Sequence, residues 1–353
     1  MKKIGIVALA GVIGPCAFAQ FANGTIAVVS FDGGASAPVN TGMQVVLKNF
    51  TTAGVLAGSV TTDTFISGTA TSEGALNWAD DGSKTLWVSG YASTAATSVS
   101  TSTTARRVQG YNVTGATMGV PTDFVSTSLY TANNFRSAVV VNGNLVTAGT
   151  STSTGGTRVG TGFVAGTPPS TSLISTATNT RVAQLWGTTA FWSSGSGTTS
   201  IFSGPLSSSS QTDIVAIKPN GGVWSPYDFT FTNDGTNDVM YVADDSSATG
   251  GLLKFTKNVG GTYDFAYRIT TAADGLRGIG LAGGKIYATS GTGKNIFEIT
   301  DGGSAAGSTF LSIASAGTNE VYRGLEVVPE PASFAILGLG LIGLAVRRKK
   351  SKA

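Results

Sequence analysis

Six charged residues recur at nearly regular intervals through this 353-residue chain, and four of them are arginines. They are separated by 63, 45, 47, 49 and 46 residues, and each comes just before an apolar, strand-like run. The six are Glu73, Arg136, Arg181, Asp228, Arg277 and Arg323. A guanidinium offers a planar fork of donors that matches a carboxylate or phosphate, so four converging arginines predict an anion-binding ring. In the structural alternative, the arginines bond loop carbonyls or pair with Glu73 and Asp228.

Catalytic groups are scarce in this sequence. The chain has no histidine, and its one cysteine, Cys16, lies in an N-terminal segment that we expect to be removed. Triads with histidine, histidine-bound metals and thiol nucleophiles are therefore not expected. The adjacent pairs Asp80-Asp81 and Asp244-Asp245 point to opposite faces of a strand, which disfavours glycosidase chemistry, and Glu298 with Asp301 is the remaining pair. We predict that the protein is not an enzyme.

Two further groups of residues can bind ligands in principle. The oxygen-rich segment 233–238, with Asp244 and Asp245 nearby, could offer oxygen ligands to Ca²⁺. Its spacing does not fit an EF-hand loop, however, and favours a polar hairpin turn. No other cofactor is expected. Exposed tryptophans can stack on sugars, although Trp87 and Trp192 occupy strand positions that favour packing inside a sheet. The five tryptophans are Trp78, Trp87, Trp186, Trp192 and Trp224.

The charged residues belong to an internal repeat. Residues 136–147, 181–192 and 277–288 align without a gap: an arginine, an apolar strand, a turn, and a second strand that begins nine residues after the arginine. Looser copies with longer turns begin at Glu73 and Asp228. A period of 45 to 50 residues is the size of one four-stranded propeller blade, and in a propeller these positions gather near one mouth of the central channel.

Composition supports an all-β fold. The chain contains 49 glycines and only 12% charged residues, with alternating β-branched runs and frequent Gly-Gly, Asp-Gly and Asn-Gly pairs. Such a pattern is typical of many short strands joined by tight turns. The polar, low-complexity stretches 93–104, 150–156 and 207–210 are predicted to be exposed loops.

The last repeat indicates how the fold closes. The copy that starts at Arg323 holds a single strand, whereas the N-terminal part offers three strand candidates, at 25–31, 44–50 and 55–61. One strand from the end and three from the beginning complete a blade, which satisfies strand edges that are otherwise open. We predict a β-propeller of six blades, with seven as the alternative because the 63-residue interval has room for extra strands.

The N-terminus has the pattern of a secretion signal. Lys2 and Lys3 precede an apolar run from Ile4 to Ile13, and Ala17-Phe18-Ala19 precedes Gln20. This order predicts a signal peptide at 1–19, cut by signal peptidase between Ala19 and Gln20. The mature protein then has no thiol and no disulfide.

The C-terminus has the pattern of a membrane anchor. Residues 332–346 carry no charge and are followed by Arg347, Arg348, Lys349 and Lys350. Fifteen helical residues span about 22 Å, short of the roughly 30 Å hydrocarbon core, so the helix must be accommodated by snorkelling or a thinner bilayer. The basic residues act as a membrane stop on the cytoplasmic side, which leaves the preceding chain outside.

Residues 328–353 resemble the PEP-CTERM sorting signal: Pro329-Glu330-Pro331, a short hydrophobic helix and a basic tail. The resemblance implies sorting by exosortase, with the tripeptide as recognition element, in bacteria that make extracellular polysaccharide. The segments beginning at Gly24 and Ser67 also resemble exported bacterial proteins with propeller-like repeats and no assigned activity. The predicted domains are therefore the signal peptide 1–19, a propeller ectodomain 20–328 and the sorting signal 329–353 with a transmembrane helix at 332–346.

The charge balance excludes a nucleic-acid partner. The whole chain is +3, but seven of its 22 basic residues and one of its 19 acidic residues lie in the two terminal signals. Residues 20–328 keep 15 basic and 18 acidic side chains, a net charge of −3, so no basic surface is expected there. We predict an exported surface or matrix protein, held transiently in the inner membrane, that binds carbohydrate or another envelope component. The alternatives are an extracellular propeller lactonase or polysaccharide-degrading enzyme and a matrix filler without a ligand.

Overall fold

Residues 21–329 of the computed structural model are described here, except 80, 96, 115–116, 119–121, 152–155, 248 and 271–273. The predicted signal peptide with Ala19 and Gln20, the transmembrane helix 332–346 and the basic residues Arg347 to Lys350 lie outside this range. So do Glu330 and Pro331. Within the described range, no helix has the length and apolar character needed to cross a membrane.

The described residues form β-strands almost throughout, as the turn-rich composition predicts. The one helical element among them is a short 3₁₀ turn, Pro219–Gly222. The first twelve strands are β1 (Ile26–Asp32), β2 (Gly42–Phe50), β3 (Leu56–Ser67), β4 (Leu76–Trp78), β5 (Thr85–Tyr91), β6 (Arg106–Thr114), β7 (Thr117–Met118), β8 (Thr122–Ser126), β9 (Phe135–Val141), β10 (Asn144–Gly149), β11 (Thr157–Thr161) and β12 (Thr171–Leu173). The others are β13 (Thr180–Trp186), β14 (Thr189–Ser194), β15 (Ser200–Pro205), β16 (Thr212–Asp213), β17 (Val215–Ile217), β18 (Pro226–Asn233), β19 (Asp238–Asp244), β20 (Gly251–Lys257), β21 (Tyr263–Ile269), β22 (Leu276–Ala282), β23 (Lys285–Ser290), β24 (Asn295–Thr300), β25 (Thr309–Ser315) and β26 (Glu320–Val327).

Consecutive antiparallel strands build the sheets. Three sheets contain β9 to β12, β13 to β16 and β22 to β25, while β18 to β21 form a fourth to which β17 adds in parallel. A larger sheet runs in the order β26-β1-β2-β3-β5-β6-β7, with β4 on β5 and β8 on β6. Its two halves join through one residue pair, Phe65 with Tyr91. Each predicted strand–turn–strand repeat therefore corresponds to the first two strands of a sheet or half-sheet.

The two ends of the described chain meet. Strand β26 pairs antiparallel with β1, so that Val327 faces Ile26 and Glu320 faces Asp32. Beyond the strands, the backbone N–H of Gly24 donates to the carbonyl of Val328 at 2.7 Å, and that of Val328 donates to Thr25 at 2.9 Å. The pairing provides β1 with a partner strand from the last repeat.

Apolar side chains fill the spaces within and between neighbouring sheets. The largest cluster contains Trp87, Phe135 and Trp192 and spans β5, β9 and β14. Trp192 is completely buried, and Trp87 is 5% exposed, which confirms that these two tryptophans pack inside the fold. Burial of a large apolar side chain contributes about 1.5–3 kcal/mol, so this packing must hold the fold together without disulfides.

Candidate functional site

The repeated arginines all lie at irregularities in the first strand of a sheet. In β13, β22 and β26 the pairing register shifts at Arg181, Arg277 and Arg323, and in β9 it skips Arg136. A bulge of this kind turns one side chain out of the regular alternation and is common next to binding sites. The bulges therefore re-aim the four arginines.

Tyr227 lies where the arginines converge. The guanidinium carbons of Arg181 and Arg277 lie 5.5 Å and 5.7 Å from the centroid of its ring. Arg136 and Arg323 are also close enough for the charge of Tyr227 to influence their pKa values. The structure thus brings the four predicted arginines together, and we call Arg136, Arg181, Arg277, Arg323 and Tyr227 the arginine ring.

The prediction that Asp228 and Glu73 occupy equivalent ring positions is wrong. The register shift in β18 spans Pro226 to Phe229, so Tyr227 takes the place of the arginine and Asp228 follows it. The carboxylate of Asp228 instead accepts the backbone N–H groups of Phe229 and Ile279. The repeat copy that contains Asp228 has a turn of four residues, whereas the copies that align without a gap have turns of two. The sequence alignment across this longer turn is therefore one residue out of register.

Glu73 is buried beside the ring but bonded elsewhere. Its carboxylate accepts the backbone N–H of Ser67 at 2.9 Å, the side-chain amide of Asn134 at 2.9 Å and the hydroxyl of Tyr91. It makes no ion pair with the arginines among the described residues. Of the structural alternative, pairing of the arginines with Glu73 and Asp228 is not observed among the described residues, whereas Arg136 does bond a backbone carbonyl, that of Thr180.

Asp245 is the one carboxylate that binds the ring among the described residues. It accepts from Arg181 Nη1 at 2.7 Å and pairs with Arg277 Nε at 3.4 Å. Arg136 Nη1 donates to the side chain of Asn179 and to the carbonyl of Thr180. Two of the four guanidiniums thus share one carboxylate, and Arg136 bonds uncharged groups.

Several ring nitrogens remain without a partner. Arg136, Arg277 and Arg323 are 8%, 9% and 3% exposed. Nevertheless, one nitrogen of each arginine in the ring is buried without a hydrogen-bond partner in the described part of the chain. These nitrogens are Nε of Arg136, Nε of Arg181, Nη1 of Arg277 and Nε of Arg323. Unpaired buried donors cost about 1–3 kcal/mol each, and an anion within reach of them would lower this cost.

The pKa values of two ring arginines reflect their burial and the repulsion between them. Burial, and after it the positive charge of Arg277, lowers the pKa of Arg323 to about 10. The pKa of Arg136 is also lowered, first by burial, while Arg181 contributes repulsion. A bound anion would relieve this repulsion and stabilise the charged form of both arginines.

Glu73 predicts a measurable pH dependence of stability. Burial raises its pKa from 4.5 to about 7, although three hydrogen bonds oppose the shift. Between these values the folded protein holds a proton that the unfolded chain has lost. The stabilisation is complete below pH 4.5 and is lost as the pH rises through 7, by about 3 kcal/mol. We expect the free energy of unfolding, measured with urea, to fall between pH 4.5 and pH 8, and to fall by about 3 kcal/mol less in Glu73→Gln than in the wild type. Equal losses in the two proteins would contradict the raised pKa of Glu73.

A cavity of about 250 Å³ lies further along the same strands. It receives a residue from the first strand of each unit; in five of the six units this residue comes three positions after the ring residue, or roughly 10 Å away at 3.3 Å per residue. These residues are Asn77, Val139, Gln184, Thr230, Gly280 and Glu326. Trp78, Trp186 and Pro329 complete one side of its wall. The sequence did not single out this cavity, although the fixed spacing from the arginines was a signal for it.

The remaining candidates have simple structural roles. The segment 233–238 is a hairpin turn in which Asp234 Oδ1 accepts the N–H groups of Thr236 and Asn237. Asp244 binds Arg268, whereas Asp245 binds the ring, so the two adjacent carboxylates do face different groups. Among the described residues, no cluster of three or more acidic, histidine or cysteine side chains could hold a metal ion.

The fold is similar to that of propeller-like extracellular proteins. A chain of the nidogen/laminin complex aligns with a TM-score of 0.56 and 11% identity over 86% of this chain and 98% of that chain. A protein from Lactobacillus plantarum aligns with a TM-score of 0.51 and 11% identity over 85% and 98%. A putative 6-phosphogluconolactonase from Bacteroides uniformis aligns with a TM-score of 0.47 and 15% identity over 85% and 82%. At this identity the similarities show the fold alone.

Residues 327–349 match the PEP-CTERM protein-sorting motif. The motif identifies the chain as an exported protein that passes through the membrane and is processed by exosortase, as its three-part C-terminus predicted. No curated protein matches the sequence at a significant level.

Proposed function

We propose that this protein is a non-enzymatic β-propeller that binds anionic sugar residues, such as uronates, at the cell surface or in the extracellular matrix. The observation that carries the proposal is the arginine ring, whose buried nitrogens lack partners around Tyr227. A sugar carboxylate offers two acceptor oxygens to such a fork. Extracellular polysaccharide is the anionic material that an exosortase-sorted protein is expected to meet outside the cell.

The fold that accompanies this proposal is a propeller of six blades. Its support is the strand order β26-β1-β2-β3, together with the cavity to which β4, β9, β13, β18, β22 and β26 each contribute. Pairing of β26 with β1 would close the ring and cover the edge that β1 otherwise exposes. The six-blade arrangement makes the first strands neighbours around one channel, with the arginine ring towards one mouth and the cavity towards the other.

Processing determines where the sites act. We propose removal of residues 1–19, anchoring by 332–346 and release of the ectodomain by exosortase. Gly24 and Val328 are hydrogen-bonded to each other, so the two ends of the described chain lie side by side. Pro329, the last described residue, lines the cavity and not the arginine ring. The arginine ring would face away from the membrane before cleavage.

Calorimetric titration with oligogalacturonate tests the proposed binding. The detergent-purified full chain should bind it, and Arg136→Ala combined with Arg277→Ala should weaken binding by at least about 100-fold, since each charged hydrogen bond contributes 1.5–3 kcal/mol. Arg107→Ala is the matched control, because Arg107 pairs with Asp123 on another strand pair and lies outside the ring.

Each outcome of this titration decides between the candidates. Binding that is lost in the double variant and kept in the control supports the proposal, and inorganic phosphate as a second probe separates a general anion site from a uronate site. Unchanged binding in the double variant overturns it. A wild-type chain that binds no oligosaccharide favours the matrix filler, and turnover of polysaccharides or lactones by the same preparation would establish the enzyme instead.

A further inference from the structure

The cavity beyond the arginine ring presents hydrogen-bond acceptors, whereas the ring presents donors. Glu326 lines it from β26, and its Oε1 accepts the backbone N–H of Trp78 at 3.3 Å. No lysine or arginine is among the residues that line the cavity. The carboxyl group therefore faces the cavity without a countercharge there.

The two amide side chains of the cavity turn their donors away from it. Asn77 Nδ2 donates to Ser137 Oγ at 3.0 Å and to the carbonyl of Ala138 at 2.9 Å. Its Oδ1 has no hydrogen-bond partner in the described part of the chain, although Asn77 is only 1% exposed. Gln184 Nε2 likewise donates to the carbonyl of Phe229, at 2.6 Å. Acceptor oxygens consequently remain for a ligand.

An aromatic wall faces these acceptors. Trp186 is 37% exposed, and its ring packs edge-on against Phe231 with centroids 4.8 Å apart. Both rings line the cavity, together with Leu281. A partly exposed indole held by a neighbouring ring offers a flat apolar surface on which the C–H face of a sugar can stack. The volume of about 250 Å³ holds roughly eight waters or one small ring.

We propose that this cavity is a second binding site, which takes the protonated amine of an amino sugar. The ammonium group would donate to Glu326 and to Asn77 Oδ1, while the sugar ring stacks on Trp186. An ammonium group supplies three donors and a charge, which is what the cavity lacks. The site is separate from the arginine ring and does not depend on anion binding there.

Proton release accompanies this binding. Burial raises the pKa of Glu326 well above its usual value, and the negative charge of Asp228 on β18 adds to the shift. Asp228 is the titratable group that faces Glu326 from the packed strands, and none of the other residues lining the cavity titrates. An incoming ammonium group favours the ionised form of Glu326 and so opposes this shift, which predicts proton release on binding.

Titration of the detergent-purified full chain with glucosamine at pH 6.5 tests the proposal, with glucose and N-acetylglucosamine as neutral probes of the same ring. We expect glucosamine to bind at least tenfold more tightly than either neutral sugar, and the heats in two buffers of different ionisation enthalpy to show proton release. Glu326→Gln should abolish the preference, and Trp186→Ala should weaken binding. Glu298→Gln, which changes a carboxylate paired with Lys285 outside the cavity, should change neither.

Equal affinity for the three sugars, or a preference that survives in Glu326→Gln, would overturn the proposal. Absence of glucosamine binding by the wild-type chain would do the same. The thermal unfolding of Glu326→Gln and Trp186→Ala must match that of the wild type, and a second variant, Glu326→Asp, keeps the test decisive if either fails to fold. The shorter carboxylate should keep the preference for glucosamine over the neutral sugars, and loss of that preference would count against the site.

Discussion

Ending the chain at Asn319 should prevent folding, whereas ending it at Pro329 should not. The shorter chain loses β26, which includes Tyr322, Leu325 and Val327 at 2%, 0% and 6% exposure. Each such side chain contributes about 1.5–3 kcal/mol, and the backbone partners of β1 are lost as well. The sum approaches the 5–15 kcal/mol by which proteins are normally stable.

Circular dichroism and urea unfolding of chains 20–319 and 20–329 measure this effect. The longer chain should unfold in one cooperative transition, and the shorter chain should show none. The two differ by ten residues that include the whole of β26, so the comparison isolates the closing strand. A cooperative transition of similar midpoint in the shorter chain would contradict closure of the propeller by its two ends.

Arg323→Met should make the ligand-free protein more stable. Arg323 is 3% exposed, its Nε has no partner in the described part of the chain, and Arg277 repels it. Replacing a buried, incompletely paired ion by an apolar side chain of similar length stabilises proteins by up to about 4 kcal/mol. If the arginine has a structural role instead, its removal should destabilise the fold.

Arg106→Met is the matched control for this prediction. Arg106 is also fully buried, and its guanidinium carbon lies 5.1 Å from the ring centroid of Tyr91, the same distance that separates Arg323 from Phe31. Its Nε also lacks a partner in the described part of the chain, but its other two nitrogens donate to the carbonyls of Ser102, Thr104 and Asn133. We expect Arg106→Met to lower the melting temperature and Arg323→Met to raise it, as measured without ligand. A lower melting temperature in both variants would mean that Arg323, too, is structural.

The strands and the convergence of the arginines could be predicted because both follow from local patterns. Alternation of apolar residues and turn pairs sets the strands, and the recurrence of arginine at one blade length places those side chains at equivalent positions. The first strand of the last repeat was also recognisable, since Arg323 is followed by the same apolar run as Arg277. The all-β fold class and the four arginines of the ring could therefore be predicted, because both follow from periodic patterns that are visible in the sequence.

Tyr227 and Asp245 could not be predicted in the same way. Tyr227 shares no charge with the arginines, and only an alignment on the apolar residue two positions later, Phe229, would have found it. Asp245 reaches Arg181 and Arg277 from the loop after another strand, a contact that depends on how neighbouring sheets pack. The sequence did not predict the cavity, because nothing distinguishes Glu326 from an ordinary polar residue in a strand.

The most direct test of anion binding is a crystal structure of the ectodomain with galacturonate. We predict the sugar carboxylate between Arg277 and Arg323, within hydrogen-bond distance of Arg277 Nη1 and Arg323 Nε, two of the four ring nitrogens that lack partners in the described part of the chain. Galacturonate bound elsewhere, with these nitrogens bonded only to the protein's own carbonyl groups, would contradict it.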